Sequence, residues 1–379
     1  MMGSGHEQVV FVADAPTGLR AVIAVHSTAL GPALGGIRFW HYAREDDAVR
    51  DVLRLSEAMT WKAAAAGLDQ GGGKVVVLVD DPDAARAPAL LHALGRAIDE
   101  LGGRYLAAED VGATQRDMDL IAEVTPWVTG VDPADGGSGD PSPVTALGVL
   151  AAMRAVFEHL DGEDRLAGRR VAVQGTGHVG SRLVALLAEA GASVVVADTN
   201  EARAAEVAAA HGATVVSAAT ILEEECDVLA PCALGGVLDD VSVDRLRCRA
   251  VCGAANNQLA HEGIDDRLHA RGVLYAPDFV ASAGGIINIA EEFVGYDHDR
   301  ALARTEKIRD SMTRVFALAT ERGVPPGHAA LELARARVVA EGRGRWRPGD
   351  PAAWTEGRPL TSLRPPRFGS RPEDGSIRT

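Results

Sequence analysis

The chain has 379 residues, 47% hydrophobic and 24% charged, with a formal net charge of −15. That balance excludes wholesale disorder, the length suits two domains rather than one, and the acidity argues against a general binder of nucleic acid or anionic membrane. No apolar run approaches the roughly eighteen residues of a membrane span, Met1 to Gln8 lack the blocks of a signal peptide, and Cys226, Cys232, Cys248 and Cys252 show no CxxC spacing, so the expectation is a cytoplasmic protein with reduced, mostly buried thiols and no metal site.

In chain order, Val9 to Ala13 and Arg20 to His26 are β-branched runs about a Pro-Thr-Gly turn and predict a hairpin. Gly31-Pro32-Ala33-Leu34-Gly35-Gly36 reads as a loop whose glycines let a backbone approach something closely. Glu45 to Ala66 has helical spacing. Gly71-Gly72-Gly73-Lys74 then leads into a strand, Val75 to Val79, and a helix from Ala85 to Leu101 precedes a short strand ending at Ala107-Ala108-Glu109-Asp110. Parallel pairing would place Lys74 and Asp110 on opposite edges of the sheet; a mixed sheet would bring them to one edge. The basic residues are 35 Arg and only three Lys, namely Lys62, Lys74 and Lys307. Arg stays protonated in proteins and a desolvated Lys need not, so a lysine kept in such a chain suits proton transfer. Lys307 lies in a charged helical stretch and reads as solvated surface.

Gly130 to Pro143 is the best interdomain linker, and a helix from Val144 to His159 follows it. Then come a strand, Arg170 to Val173, the loop Gly175-Thr176-Gly177-His178-Val179-Gly180, a helix to Ala190, and a strand from Ser193 to Ala197 ending in Asp198. Strand, GxGxxG, helix, strand and acid in that order predict dinucleotide binding. The glycines allow a tight turn, an approach of pyrophosphate to the backbone, and close helix–strand packing, while the helix N-terminus offers amide donors. An acid at Asp198 can bind ribose hydroxyls and would repel a 2′-phosphate, which favours NAD over NADP. Asn200 reads as the N-cap of the next helix. Further strands are expected at Asp227 to Ala230, Ala250 to Cys252 and Val273 to Tyr275, with Asn256 and Asn257 at a carboxyl end where ligands of open parallel sheets bind. Helices are expected from Ile286 to Gly295, Asp299 to Arg322 and His328 to Gly342. Residues Glu341 to Thr379 hold six of the eighteen prolines and a net charge of +3, and read as a disordered tail.

At this point seven motifs fall in one order: Gly31 to Arg38, Met59-Thr60-Trp61-Lys62, Gly71 to Lys74, Ala108-Glu109-Asp110-Val111-Gly112, Pro141-Ser142-Pro143-Val144-Thr145, the Gly175 loop, and Gly253-Ala254-Ala255-Asn256-Asn257-Gln258-Leu259. Over about residues 5 to 340 the chain resembles the Glu/Leu/Phe/Val amino-acid dehydrogenases, most closely the leucine, valine and phenylalanine branch. The resemblance implies an α/β protein of two domains, an N-terminal α/β dehydrogenase domain and a Rossmann NAD-binding domain. The expected bounds are 1–142 for the substrate and catalytic domain, 143–290 for the Rossmann domain, 291–340 for C-terminal helices returning to the first domain, and 341–379 for the tail. It further implies a homo-oligomer with small-molecule substrates, and the reversible, NAD-dependent oxidative deamination of an L-amino acid to its 2-oxo acid and ammonia.

By the same resemblance Lys74 is the catalytic lysine, polarising a carbonyl and activating water. Asp110 shuttles protons to and from nitrogen, and Lys62 binds the substrate carboxylate. The residue chemistry agrees, because a lysine near a second cation titrates low and an acid partner permits transfer both ways. Leu34, Gly35, Ala108, Ile286 and Ile289 match substrate-pocket positions. In the glutamate branch a lysine matches Leu34 and a serine matches Ile289; here both are aliphatic, so a charged substrate side chain would be buried without a partner. A branched aliphatic substrate is expected, with an aromatic one as the alternative. The cofactor set is Gly175, Thr176, Gly177, His178, Val179, Gly180, Asp198, Thr199, Asn256, Asn257, Asn288 and Thr145. Three departures from the family pattern stand out: Trp61, where Tyr or Phe is usual, Ala63, where Asn is common, and Ala281-Ser282-Ala283, in place of a segment that usually carries Asn before Ala-Gly-Gly.

Overall fold

A computed structural model describes residues 5–342. The chain builds two sheets. The first contains β1 (Gln8–Asp14), β2 (Leu19–Ser27), β3 (Ala33–Trp40), β4 (Gly71–Leu78) and β5 (Tyr105–Glu109), with α1 (Glu45–Ala65), α2 (Pro88–Asp99) and α3 (Gln115–Ala122) between and after its strands. Its order is β1-β2-β4-β3-β5. The β1–β2 and β2–β4 pairs are antiparallel, and β3 runs parallel to both β4 and β5. The sheet is therefore mixed, with a parallel half that carries the residues of interest.

The long helix α4 (Ser142–Asp161) opens the second half. It is followed by β6 (Arg170–Gln174), α5 (His178–Glu189), β7 (Ser193–Ala197), α6 (Glu201–His211), β8 (Thr214–Val215), β9 (Cys226–Pro231), α7 (Ser242–Arg245), β10 (Cys248–Val251), α8 (Gly263–Ala270) and β11 (Leu274–Tyr275). The six strands order as β11-β10-β9-β6-β7-β8, all parallel. Counted in chain order that is the 3-2-1-4-5-6 arrangement of a dinucleotide-binding sheet. The chain closes with α9 (Asp278–Ala281), α10 (Gly284–Ala290), α11 (His298–Glu306), α12 (Ile308–Arg322) and α13 (Pro326–Glu341). Helices α11 and α12 pack on α4, whereas α13 returns to α1. There Arg337 donates to the carbonyls of Ala64 and Leu68 at 3.2 and 2.7 Å.

Several expectations need correction. The glycine-rich segment before Ile37 is not a loop beyond Pro32, because Ala33 onward is strand β3. Its glycines serve strand packing: a Cβ on Gly35 would sit 1.8 Å from the Gly73 carbonyl oxygen, so only glycine lets β3 and β4 come together there. Lys74 does not open its strand but lies in the middle of β4, because Gly71 to Gly73 extend the ladder backwards. The expected helix from Asp299 to Arg322 is two helices that meet at exposed Lys307. Helix α4 is long and apolar enough to cross a bilayer, contrary to the expectation that no run is; it is instead a core helix buried against α5, α10, α11 and α12. The four cysteines are free thiols, three of them buried, and no metal-binding cluster occurs among the described residues. The tail expected to be disordered lies outside the described residues beyond Gly342.

Candidate active site

The centre of the site is an ion pair laid across a glycine. Strand β3 lies between β4 and β5, with Leu34 opposite Gly72 and Gly36 opposite Ala108. This register sets Gly36 beside Lys74 on one side and two residues short of Asp110 on the other. A Cβ on Gly36 would lie 2.5 Å from the Asp110 Cβ and 3.3 Å from Lys74 Nζ. Through that gap Lys74 Nζ reaches Asp110 Oδ2 at 2.9 Å. The Arg38 guanidinium, two positions further along the same face of β3, also binds Asp110 Oδ2, at 2.9 Å, and Asp51 at 3.1 Å.

Burial and charge set the protonation of this pair. Lys74 is 4% exposed. Burial pulls its ammonium below the usual lysine range, and neighbouring Asp110 only partly offsets that. Burial pushes the Asp110 carboxyl upward, but Lys74 and Arg38 outweigh it and hold the group ionised, below the usual carboxylate range. The result is a half-buried carboxylate beside a buried amine whose pKa is lowered, a pair able to exchange protons with a third group.

Lys62, near the C-terminal end of α1, faces the other sheet. Its Nζ donates to Asn256 Oδ1 and to Ser282 Oγ, both at 3.1 Å. Burial lowers its pKa to about 8; Asp278 opposes the shift and Lys74 adds to it. Asp278 is anchored in turn by the Gln258 amide at 2.8 Å. Leu34, Ala108 and Ile286 belong to one apolar cluster, with half-buried Ile289 packed against it. Gly35 does not join them: it lies on the opposite face of β3 from Leu34, and the space for its side chain is filled by Gly73. It therefore contributes backbone rather than a pocket wall.

In the second sheet, the Gly175 loop fits a dinucleotide. Gly175 has φ +94°, and a Cβ there would strike Ala233. Gly177, the N-cap of α5, faces open space that a side chain would fill. A Cβ on Gly180 would meet the Gly175 oxygen at 1.9 Å, so helix and loop close on each other. His178 is exposed and Val179 half-buried in the first turn of α5. Asp198 Oδ2 accepts from Thr176 N at 2.7 Å and from Thr176 Oγ1 at 3.1 Å. Its Oδ1 accepts from Asn200 N at 2.8 Å and Arg203 Nη2 at 2.7 Å, with Thr199 Oγ1 at 3.5 Å. Asn200 caps α6 as expected.

The other expected cofactor residues are spread along the carboxyl edge. Asn256 is bound to Lys62. Asn257, with φ +52°, is the one non-glycine residue of positive φ among the described residues. Thr145 Oγ1 donates back to the Pro141 carbonyl at 2.9 Å and lies beside Gly285. Asn288 is fully buried; its Oδ1 accepts from Tyr296 at 2.9 Å, while its Nδ2 has no partner among the described residues. A buried amide with an unmet donor is what a missing ligand would satisfy.

Sequence reasoning assigned no role to Arg38, Ser282 or Asp278. Arg38 stood inside a quoted motif and Ser282 inside the departing segment Ala281-Ser282-Ala283, so both carried a signal. Asp278 carried none beyond its place after a strand.

Residues 6–126 match the model of the Glu/Leu/Phe/Val dehydrogenase dimerisation domain, and residues 136–343 that of glutamate/leucine/phenylalanine/valine dehydrogenase. The chain is 51% identical over 337 residues to a valine dehydrogenase of Streptomyces virginiae, covering 88% of this chain and 94% of that one. It is 47% identical over 333 residues to a leucine dehydrogenase of Thermoactinomyces intermedius, covering 88% and 91%. Among solved structures, L-tryptophan dehydrogenase from Nostoc punctiforme superposes with a TM-score of 0.81 at 39% identity, covering 90% of this chain and 98% of that one.

Proposed function

The chain belongs to the glutamate/leucine/phenylalanine/valine dehydrogenase family, and from that premise we propose that it catalyses the reversible, NAD-dependent oxidative deamination of branched-chain L-amino acids to 2-oxo acids and ammonia. It is an oxidoreductase acting on a CH–NH2 group, with a nicotinamide dinucleotide of the NAD(P) class. The observation that carries the reading is the Lys74–Asp110 pair, 2.9 Å apart and close to Lys62, beside the apolar cluster of Leu34, Ala108 and Ile286.

Lys62 holds the substrate carboxylate by charge. Asp110, ionised, takes a proton from the substrate ammonium. The dinucleotide, when bound by the Gly175 loop, Asp198, Thr199, Asn256, Asn257, Asn288 and Thr145, supplies the acceptor for the hydride leaving Cα. Lys74, neutral, then removes a proton from the water that attacks the imine carbon. Asp110 returns its proton to nitrogen; as the C–N bond breaks and the carbonyl forms, the hydroxyl proton passes to the departing nitrogen, which leaves as ammonium, and Lys74 gives its proton to solvent. Arg38, by holding Oδ2, favours the ionised form of Asp110 before it takes the proton and after it returns it. Specificity follows from desolvation: Leu34 is wholly buried and Ile286 5% exposed, so a charged side chain there would lose water and gain nothing.

NAD is favoured over NADP by the acid at the end of β7. The matched dimerisation domain supports a homo-oligomer. An aromatic substrate is the second reading, favoured by the likeness to the tryptophan dehydrogenase. The test follows NADH absorbance with Val, Leu, Ile, Phe, Trp and Glu offered separately. Turnover of Val, Leu or Ile well above Phe and Trp is expected. A preference for Phe or Trp overturns the aliphatic pocket, and silence on all six overturns the activity.

A further inference from the structure

The segment 253–258 that follows β10 is braced from two sides. From within, the Gln258 side-chain amide donates to the carbonyls of Gly253 and Ala255 at 3.0 and 3.1 Å. From outside, half-buried Asp278 at the start of α9 accepts the Gln258 backbone amide at 2.8 Å, and the Asn257 and Phe279 amides bind the same carboxyl group. Asn257 has φ +52°, a conformation that a residue other than glycine keeps only where its surroundings fix it. Here Asp278 takes the amide of Asn257 and the next one, while Gly236 donates to the Asn257 carbonyl at 2.7 Å. Asn256, one residue earlier, is thereby set to offer its Oδ1 to Lys62 at 3.1 Å.

Asp278 also acts on Lys62 by charge. The charged groups that face the Lys62 ammonium are Asp278 on α9, Lys74 on β4 and Asp110 after β5, and Asp278 is the first of them in effect. Lys74 disfavours the ammonium and the two carboxylates favour it. Asp110 is already bound by Lys74 and Arg38, each at 2.9 Å. Burial pushes the Asp278 carboxyl upward, and the Gln258 amide, the Lys62 charge and the other two amides partly offset that. Among the described residues Lys62 Nζ bonds Asn256 and Ser282 rather than Asp278. Asp278 therefore favours the ammonium without taking the donor that a substrate carboxylate needs.

We propose that Asp278 is a positioning residue for Lys62: it clamps the Asn257 turn from which Asn256 reaches the Lys62 ammonium, and its carboxylate holds that ammonium charged across the cleft between the two sheets. The inference rests on the reading of Lys62 as the group that binds the substrate carboxylate. It ties the carboxyl edge of the second sheet to the substrate end of the first through one side chain that touches neither substrate nor dinucleotide.

Lysine is rare enough here for the charge to be read directly, since the chain holds only Lys62, Lys74 and Lys307. The full chain, labelled with carbon-13 at lysine Cε, is titrated by NMR without amino acid, and the Lys62 signal is assigned by its absence from Lys62→Arg. Asp278→Asn and Asp278→Ser are both uncharged and both keep an oxygen able to accept the Gln258 amide. Each should lower the pH at which Lys62 titrates by about half a unit or more. In steady-state kinetics at pH 8 the same variants should raise KM for the amino acid several-fold and change kcat by less than about two-fold. A role in stability alone would lower Tm and leave the Lys62 titration in place. That result, or an unchanged KM beside a lowered titration, overturns the proposal and leaves the dehydrogenase reading intact. Absence of turnover in the unaltered chain overturns the dehydrogenase reading, and the NMR titration then still decides whether Asp278 sets the charge on Lys62.

Discussion

The Lys62 ammonium on α1 lies 3.1 Å from the Ser282 hydroxyl, 220 residues further along the chain, between α9 and α10. A side chain of the first sheet's domain is thus held by the edge of the second. Asn256 takes another of its donors at 3.1 Å, so two of the three ammonium protons are committed across the cleft and one is left for a carboxylate.

Ser282→Ala should therefore loosen the placement of Lys62 without touching the Gly175 loop. The expected result is a several-fold rise in KM for both amino acid and oxo acid, a smaller change in kcat, and an unchanged Kd for NAD. Ser282→Thr, which keeps the hydroxyl, should restore most of the loss. Steady-state kinetics with a separate cofactor titration would show this, and an unchanged KM in the alanine variant would end the argument.

Gly36 has no room for a side chain. Its Cβ would fall 2.5 Å from the Asp110 Cβ and 2.9 Å from the Glu109 oxygen. Gly36→Ala should push Asp110 away from Lys74 and lower kcat by a hundred-fold or more, at a stability cost of about 1–3 kcal/mol, the usual range for overpacking. Turnover and urea denaturation measured together would separate the two effects. Near-normal turnover would mean that the pair need not meet across this residue.

The two lysines should impose opposite limbs on the pH profile. Lys74 must be neutral to take a proton from water, and burial lowers its pKa, so kcat/KM for deamination should rise with pH and level off before the ordinary lysine range. Lys62 must be charged to hold a carboxylate and titrates at about 8, mainly through burial, so kcat/KM should fall above that pH. Lys62→Arg cannot lose its charge in this range. Its alkaline limb should move upward even if its maximal rate is lower. An alkaline limb left in place by the substitution would assign it to another group.

Asp265, on α8, accepts from the Gly327 amide at the start of α13 at 2.9 Å, while its Oδ1 is buried without a partner among the described residues. Burial raises its pKa from 3.8 to about 6. The folded chain then binds more protons than the unfolded chain between those values. Stability should fall as pH rises through that window, and the full cost should persist above it. Asp265→Asn removes that charge and can still accept from Gly327. It should raise Tm by a few degrees at pH 8 and by much less at pH 4.5, a difference on the order of 1–3 kcal/mol. Equal shifts at both pH values would show that ionisation is not the cause.

What the sequence by itself determined is local. The strand, glycine loop, helix, strand and acid of Arg170 to Asp198 are contiguous, so their spacing alone predicts a phosphate-binding turn, and the elements stand within a residue or two of where they were expected. The same holds for the first hairpin and for the Asn200 cap. The rarity of lysine pointed to Lys62 and Lys74 without any coordinates. Only the tertiary structure decided what those residues touch. Ala33 to Gly36 looks like a loop because glycine has little strand preference; it is a strand because β4 and β5 pair with it from both sides. Parallel pairing was expected to set Lys74 and Asp110 on opposite edges; β4, β3 and β5 are in fact mutually parallel, and the two residues meet because Lys74 lies in the middle of β4 rather than at its start. The link from Lys62 to Ser282 depends on how two separately built sheets dock. Periodicity and turn chemistry report a chain's nearest neighbours. Strand order and docking are set by burying apolar faces that lie far apart in sequence, and the functional contacts of this protein lie where those faces meet.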